Sequence, residues 1–529
     1  MIVTGLSLGT LAIIVGSVSV LRAFQLFLDF RRLLASIHHL PGYRTILSSS
    51  SVLGHLFPPT PLLTLGHDYS WLSKHAPFAE RGFDIISAVA CWPKATGSLL
   101  IADVNVIKDI VWSRGRFPKP LDQYSILTFF GENIVVSEGN EWKRYRKIVA
   151  PAFSERNNRL VWDATTQIML DLFDTMWAGQ EEVVVNHSVD LTLPIALFVI
   201  GAAGFGRPIS WKEDAVVPLG HQLTFKDALH TVTQDLTLKF LVPKWAMGLT
   251  KRFRRARLAF DELHRYLTEM IHERQGSQDE DDNNDLLSSL LSANGDKNLS
   301  KGEVKLSDSE LIGNIFIFLV AGHETTAHAF SFAFALLALH PDKQEEMYQH
   351  IKRVLPDGRI PTYDDMPSLA YSSAVFNESL RMFPPVCTVP KSSAEDTTFN
   401  LTDVNGTLKT VVVPKGLGLT LDVPGLHYNP KYWEDPFTFK PERFLGDWNR
   451  DAFLPFSSGY RGCVGRKFSE TEGAAVLTIL ISRYVISIKD EPQFAGETYE
   501  QRKARVLNAQ SVLTLAPTRL PLVFRPRRT

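Results

Sequence analysis

The strongest feature of the hydrophobic pattern is an uncharged, mostly apolar run over residues 1–21. Arg22 interrupts it, residues 23–30 continue it, and Arg31 and Arg32 follow. A helix of about 20 residues spans the hydrocarbon core of a bilayer. A cleaved signal peptide would instead carry its basic residues before the apolar run and a small-residue cleavage site after it. The pattern therefore predicts a retained membrane anchor over residues 1–30, with the rest of the chain on the cytosolic side.

A second long apolar segment covers residues 307–339. Ser307 and Glu310 have the spacing of a capping box, and Pro341 ends the pattern. A helix of about 33 residues would be roughly 50 Å long. A helix this long and this apolar is expected to be buried across the body of the protein.

The remaining pattern is mostly helical, with short β-rich pieces at residues 99–102, 407–413 and 512–515. It predicts a mainly α fold with small β-sheets. Prolines at positions 41, 58, 59 and 61 cannot extend a helix, so residues 31–64 are predicted to form a stiff connector. Residues 65–529 are predicted to form one large globular domain.

Composition narrows the function classes. Hydrophobic residues make up 45% and charged residues 21% of the chain, which is typical of a globular protein. The net charge of −1 gives no indication of nucleic-acid binding. The three cysteines, Cys91, Cys387 and Cys463, are too few and odd in number for a disulfide framework, and they fit a reducing compartment.

The segment around Cys463 carries the candidate chemistry. An isolated cysteine is usually a small buried hydrophobe, but three glycines here let the backbone turn tightly and approach a flat cofactor. Backbone N–H groups in such a loop can stabilise a thiolate, and Arg461 supplies a positive charge suited to a carboxylate. A helix predicted after Gly465 adds the positive field of its N-terminus. The glycines are Gly459, Gly462 and Gly465.

The pattern Phe-x-x-Gly-x-Arg-x-Cys-x-Gly resembles the haem-binding loop of the cytochrome P-450 family. It is formed by Phe456, Gly459, Arg461, Cys463 and Gly465. The resemblance implies the cytochrome P-450 fold: a single large haem domain behind an N-terminal transmembrane helix. It also implies haem b (iron protoporphyrin IX) as cofactor, with Cys463 as the axial iron ligand. A cysteine thiolate in that position pushes electron density toward O–O cleavage.

Two further motifs match the family in order. Glu378 and Arg381 are three residues apart on a predicted helix, which alone would indicate a common surface ion pair. In the family, such a pair joins the arginine of a later Pro-Glu-Arg-Phe segment, here Arg443, in a buried network that positions the haem-binding loop. Trp142 and Arg146 match a Trp-x-x-x-Arg pair that contacts a haem propionate.

The fourth motif lies in the long helix, at residues 321–326. A glycine inside a helix costs about 1 kcal/mol relative to alanine, and a threonine hydroxyl there can bond a ligand or a backbone carbonyl. The resemblance implies that Ala321 and Gly322 leave room for O₂ and that Glu324 and Thr325 relay protons. His323 occupies a variable family position and is interpreted as a groove or surface residue.

One position departs from the family. Where most members have an arginine for a haem propionate, this chain has Lys391, which can act as a point charge but not bidentately. His427 also falls where the family places a basic propionate ligand or a residue of the meander segment. The sequence leaves open whether Lys391 or His427 binds a propionate.

The implied activity is that of a monooxygenase (EC 1.14), which inserts one oxygen atom from O₂ into a hydrophobic small molecule. The sequence shows no nucleotide-binding glycine loop, so electrons are expected from a separate protein. The resemblance implies that this partner is a cytochrome reductase that passes electrons from NADPH through its flavins. An acidic reductase is expected to dock on basic residues in segments flanking the haem. These are Lys143, Arg144, Arg146, Lys147, Arg461, Arg466 and Lys467.

The anchor and the resemblance together predict a single-pass protein of the endoplasmic reticulum membrane with a cytosolic catalytic domain. The chain looks most like fungal members of the family, which favours secondary metabolism such as terpenoid oxidation. Two alternatives stay open: a haem-thiolate isomerase or dehydratase of the same fold, and a non-enzymatic haem carrier or sensor. The Glu324-Thr325 pair favours the monooxygenase.

Overall fold

A computed structural model describes residues 8–113, 115–207, 211, 216–276, 285–295, 305–403, 405–511 and 513–527. Helices dominate these residues and the strands form small sheets, which confirms the predicted mainly α fold. The chain divides into two compact units. The first contains Met1–Lys119, Cys387–Pro436 and Asn449–Arg461, and the second contains Pro120–Val386, Phe437–Trp448 and Gly462–Thr529.

The α-helices, in chain order, are α1 Leu8–Ser36, α2 Val52–Leu56, α3 Tyr69–Ser73, α4 Ala76–Arg81, α5 Val104–Trp112, α6 Gly139–Val149, α7 Glu155–Asp171, α8 Ser188–Val199, α9 Phe225–Leu241, α10 Lys251–Gly276, α11 Leu286–Gly295, α12 Asp308–Leu339, α13 Pro341–Val354, α14 Ala370–Met382, α15 Val423–His427, α16 Arg466–Arg483 and α17 Tyr499–Val506. The strands are β1 Gly42–Leu47, β2 Ile85–Trp92, β3 Thr96–Ile101, β4 Val183–Val185, β5 Thr388–Ser392, β6 Thr397–Thr402, β7 Leu408–Val413, β8 Gly418–Asp422, β9 Tyr484–Ile488, β10 Ala509–Ser511, β11 Leu515–Pro517 and β12 Leu522–Pro526.

The first unit is built on a five-stranded sheet in the order β1-β2-β3-β8-β5. It also contains a separate two-stranded sheet formed by β6 and β7. Strands β1 and β2 are parallel, as are β3 and β8, whereas β2–β3 and β8–β5 are antiparallel. Helix α1 is long and apolar enough to cross a membrane over Ala12–Ser36. Its C-terminal part contacts β2 and β3, where Leu33 lies against Gly97.

The predicted connector over residues 31–64 contains regular secondary structure. Helix α1 continues to Ser36, and β1 pairs in register with β2, Gly42 opposite Ser87. Pro41 directly precedes strand β1, and Pro58 follows helix α2. The pairing partner of β1 lies more than 40 residues away, so the local proline pattern could not reveal the strand.

The second unit surrounds α12, whose observed start and end confirm the predicted helix. Ser307 and Glu310 form the capping box in both directions. Residues 311–320 and 326–339 are buried, because α12 contacts α8, α10, α14, α16, β9 and β11. A three-stranded antiparallel sheet, β4-β12-β9, and the β10–β11 hairpin complete this unit.

Candidate active site

The Cys463 thiol lies just before the first turn of α16, which starts at Arg466 with Gly465 as its N-cap. Arg146 of α6 donates from Nη1 to the carbonyl of Gly462 at 3.0 Å, so α6 holds the backbone next to the thiol. Burial raises the pKa of the Cys463 thiol, against the Gly465 N–H and the positive charges of Arg146 and Arg466, which lower it. The cysteine is nevertheless solvent-accessible, so its sulfur can be reached by a ligand.

The preceding part of the loop belongs to the first unit and depends on a tight turn. Gly459 has a φ of +65°, and a Cβ at this position would lie 2.2 Å from the carbonyl oxygen of Val111. Only glycine fits this close approach. Residues 459–461 form one turn of 3₁₀-helix, and Phe456 and Arg461 are half-buried.

The structure brings together Glu378, Arg381 and Arg443, the residues of the predicted network. Arg381 donates from Nε and Nη2 to the two carboxylate oxygens of Glu378, at 2.7 and 2.9 Å. Arg443 donates from Nε to Glu378 Oε1 at 3.1 Å, and the Lys440 N–H donates to the same oxygen at 3.0 Å. Glu378 and Arg381 are completely buried. The charge of Glu378 is thus compensated by two guanidinium groups and a backbone N–H.

Helix α12 is accessible only in its middle among residues 311–339. Ala321 is exposed and Gly322, Glu324 and Thr325 are half-buried, whereas every other residue in that stretch is buried. The Thr325 hydroxyl donates to the carbonyl of Ala321 at 2.6 Å. Four small or polar residues therefore open a groove in an otherwise packed helix.

Glu324 is the chemically unusual residue of this groove. Its Oε2 atom is buried and has no hydrogen-bond partner among the residues that the structure describes. Burial raises the pKa of Glu324 to about 7. A carboxyl with a pKa near neutrality can both hold and release a proton at physiological pH, as a general acid requires.

Comparisons with known proteins identify the family of this chain. The family model for cytochrome P-450 matches residues 86–505. The chain belongs to the cytochrome P-450 family. It is 52% identical to cytochrome P-450 monooxygenase 124 of Postia placenta over 98% of this chain and all of that protein. It is 30% identical to cyclooctat-9-en-7-ol 5-monooxygenase of Streptomyces melanosporofaciens, over 75% of this chain and 79% of that one.

The crystal structure of a cytochrome P-450DA haem domain has the same fold. It superimposes with a TM-score of 0.71 and 21% identity, and covers 87% of this chain and 94% of its own. The cofactor of the family is haem b, and its members named above are monooxygenases. The residues described here fit that cofactor, since the Cys463 thiol is accessible beside N–H and guanidinium groups. The predicted family, fold, enzyme class and cofactor are therefore confirmed.

The candidates for the haem propionates differ in their surroundings. Trp142 is half-buried against the hydrophobic core of the second unit, on the same helix as Arg146. Lys391 is buried on β5 of the first unit, opposite Leu419 in the sheet. His427 is also buried, and its Nε2 accepts a hydrogen bond from the Leu454 N–H at 2.9 Å. That bond favours the alternative in which His427 holds the meander segment.

His323 is not a surface residue, contrary to one of the two sequence interpretations. It is 3% exposed, and burial lowers its pKa to about 3, with smaller contributions from His230 and His328. A neutral imidazole packed inside the second unit carries no charge into the groove. His328, one turn further on, bonds through Nδ1 to the hydroxyl of Thr514 at 2.7 Å. No sequence pattern indicated the contact between His328 and Thr514.

The basic residues predicted to face a reductase do not form one uniform set. The Arg144 guanidinium is turned to Glu310 on α12, and Arg466 pairs with Glu470 at 2.8 Å. Lys143, Lys147 and Lys467 are exposed. The lysines are therefore the better candidates for contact with a redox partner.

Proposed function

We propose that this cytochrome P-450 is a membrane-anchored monooxygenase that oxygenates a hydrophobic small molecule, with electrons from NADPH through a separate flavoprotein reductase. The observation that carries the proposal is the groove in α12. Glu324 presents a buried carboxyl oxygen without a hydrogen-bond partner among the described residues, next to the Thr325 hydroxyl. That arrangement suits proton delivery to a bound ligand.

Haem b held by Cys463 would supply the iron that binds O₂ and the thiolate that favours O–O cleavage. Residues of the chain would orient the haem-binding loop, leave room in the groove and hold the proton. Arg146 holds the carbonyl of Gly462 and so orients the backbone before the thiolate. Gly322 leaves the groove open, since a Cβ there would reach 3.3 Å from Ile200. Glu324 holds a proton at its carboxyl group, and Thr325 orients its hydroxyl through the Ala321 carbonyl.

The two alternative functions explain the groove less well. An isomerase or dehydratase of this fold, and a haem carrier or sensor, need no proton relay to O₂. Leaving a buried carboxyl without a partner costs stability, which favours a role for Glu324 in chemistry. The monooxygenase uses that carboxyl, whereas the other functions leave the cost unexplained.

The substrate class is proposed to be terpenoid or a similar apolar secondary metabolite. The named substrate of the Streptomyces relative, cyclooctat-9-en-7-ol, supports this class, and so does the similarity to a fungal monooxygenase. Several phenylalanines near α12 pack on one another. Phe130 lies 4.3 Å from Phe316 between ring centroids and stacks on Phe260 at 5.6 Å. Such aromatic walls suit an apolar ligand.

Association with the endoplasmic reticulum membrane is proposed from α1 and is supported by a patch of the second unit. Phe240, Leu241, Trp245 and Leu249 are large, apolar and at least 49% exposed. Basic residues follow directly along the chain in the first turns of α10. Apolar side chains flanked by positive charge suit the interface of a bilayer with anionic headgroups.

The test is expression of the full chain in yeast with a cytochrome reductase and candidate terpenoid precursors. The reduced, carbon-monoxide-bound form should show the strongly red-shifted band of a thiolate-held haem, and Cys463→His should move it back. Membranes supplied with NADPH and O₂ should form oxygenated product. If the red-shifted band is present but added substrate causes no NADPH oxidation, the result would favour the haem carrier. Product formed without NADPH or O₂ would favour the isomerase.

A further inference from the structure

Three consecutive residues of α6 bond in two directions. Tyr145 donates from its hydroxyl to Glu310 Oε1 at 2.7 Å, and Arg144 donates from Nη1 to Glu310 Oε2 at 3.2 Å and from Nη2 to Oε1. Arg146 bonds instead to the carbonyl of Gly462, the residue before Cys463. One turn of α6 therefore contacts both the start of α12 and the backbone beside the candidate haem ligand.

Glu310 is at the centre of this arrangement. It is the third residue of the α12 capping box, so its carboxylate also accepts the Ser307 N–H at 2.8 Å. Burial opposes ionisation, but the bonds from Arg144, Tyr145 and Ser307 lower the pKa of Glu310 to about 2. The group is a carboxylate throughout the physiological range and makes charge-assisted bonds.

The first two turns of α12 are also located by backbone contacts. A Cβ at Gly313 would lie 2.5 Å from the Glu132 carbonyl oxygen. Asn314, which is fully buried, accepts the Ile134 N–H at 3.1 Å. Beyond these turns the buried surface of α12 is almost entirely apolar up to the groove. Apolar contacts are non-directional, so the polar contacts at the start are best able to define how α12 is placed along its axis.

We propose that Glu310, together with Arg144 and Tyr145, is a positioning residue that sets α12, and thereby Glu324 and Thr325, relative to the Arg146–Gly462 contact. This inference rests on the proposed function of Glu324 and Thr325. The position of Glu310 affects the groove through the helix itself, because Glu324 follows Glu310 by four helical turns, about 21 Å along the axis. A shift at the start of a rigid helix is transmitted to its middle.

The bonds from Arg144 and Tyr145 to Glu310, here called the link, can be separated from the capping box of α12 by mutation. Tyr145→Phe and Arg144→Met remove bonds from α6 to Glu310 but leave the capping box intact. Ser307→Ala removes the hydroxyl that accepts the Glu310 N–H at 3.3 Å but leaves the link intact. All three variants should lower the melting temperature slightly. Arg144→Lys keeps the positive charge but cannot bond bidentately to Glu310, so its effects should lie between those of wild type and Arg144→Met.

The decisive readout is the infrared stretching frequency of carbon monoxide bound to the reduced haem-loaded enzyme. This frequency responds to polar groups near the bound probe, and it needs neither substrate nor reductase. We expect the band to shift or broaden in Tyr145→Phe and Arg144→Met and to stay unchanged in Ser307→Ala. Where a substrate is known, the ratio of product to NADPH should fall about threefold to tenfold in the link variants, because small misplacements reduce rates strongly.

Two outcomes would overturn the inference. One is an unchanged carbon monoxide band in both link variants. The other is an equal change in Ser307→Ala, which would show that helix stability alone is involved. Failure of the proposed function has a different signature: the wild-type enzyme would form no oxygenated product, whatever the infrared bands of the variants.

Discussion

Two glutamates of the second unit both have buried carboxylate oxygens, but the surroundings of these oxygens are opposite. Glu378 accepts hydrogen bonds from Arg381, Arg443 and the Lys440 N–H. Glu324 has a buried oxygen with no partner in the described part of the chain, and burial raises its pKa to about 7. Pairing stabilises the charge of one carboxylate, whereas the lack of pairing lets the other exchange a proton near neutral pH.

The comparison distinguishes Glu378, which we propose to hold the site, from Glu324, which we propose to act in it. Both glutamates belong to motifs that match the family, so the motif alone does not reveal the role. The exposed fraction and the partners do: Glu378 is fully buried in α14, and Glu324 lies in the accessible groove of α12. Mutations should therefore affect protein yield at the first position and turnover at the second.

The largest effect is expected from Arg381→Met, which leaves the Glu378 carboxylate buried without its main partner. Removing one member of a buried ion pair costs about 3–5 kcal/mol, a large part of the stability of a typical domain. The yield of protein with the red-shifted carbon monoxide band should fall close to zero. As a control, Lys108→Met removes an exposed pair with Asp451 and should cost less than about 1 kcal/mol. Normal haem loading in Arg381→Met would contradict the structural role.

Glu324→Gln should leave the haem spectrum intact and lower product formation about 100-fold or more, since it removes a general acid. Wild-type product formation should decline as the pH rises above about 7, where Glu324 ionises. The residual activity of the variant should not show this decline. An unchanged rate in the variant, or the same pH profile in both proteins, would exclude Glu324 as the proton donor.

The same residue should affect stability in a defined pH window. Because the pKa of Glu324 is raised from 4.5 to about 7 in the folded protein, the folded state holds an extra proton between these values. Wild-type stability relative to Glu324→Gln should therefore fall as the pH rises through this window, by about 3 kcal/mol in total. Chemical unfolding of both haem-loaded proteins at several pH values would measure the difference. A constant difference would argue against the raised pKa.

Thr325→Ala is expected to keep the haem and to divert reducing equivalents to hydrogen peroxide. The ratio of product to NADPH should fall about tenfold, because the hydroxyl that assists proton delivery is lost. Thr326→Ala is the matched control, since Thr326 is the adjacent threonine and is buried, whereas Thr325 is partly accessible. Equal ratios in the two variants would remove Thr325 from the mechanism.

The smallest effect is expected from Arg443→Lys. This change keeps a positive charge near Glu378 and loses the bond from Nε. The melting temperature should fall by the equivalent of about 1–2 kcal/mol, with haem loading retained. Loss of haem comparable to that in Arg381→Met would show that the two arginines contribute equally to the network.

Features that depend on residues close together in the sequence could be predicted from the sequence. The capping box and periodicity of α12, strand β7 and the spacing of the loop around Cys463 are all local patterns. Strand β1 was missed because its stability comes from parallel pairing with a distant strand. The role of His427 was undecided for the same reason, since its partner, Leu454, lies in another segment.

The sequence by itself determined the family, the mainly α fold and the cofactor, because short motifs with fixed spacing are specific enough to identify them. Only the tertiary structure decided which charged groups are paired. Glu378 meets Arg443 across 65 positions, Glu310 meets Arg144 across 166, and Glu324 meets no partner among the described residues. Pairing and burial set the protonation state and energy of a carboxyl group, and both depend on contacts between segments far apart in the chain.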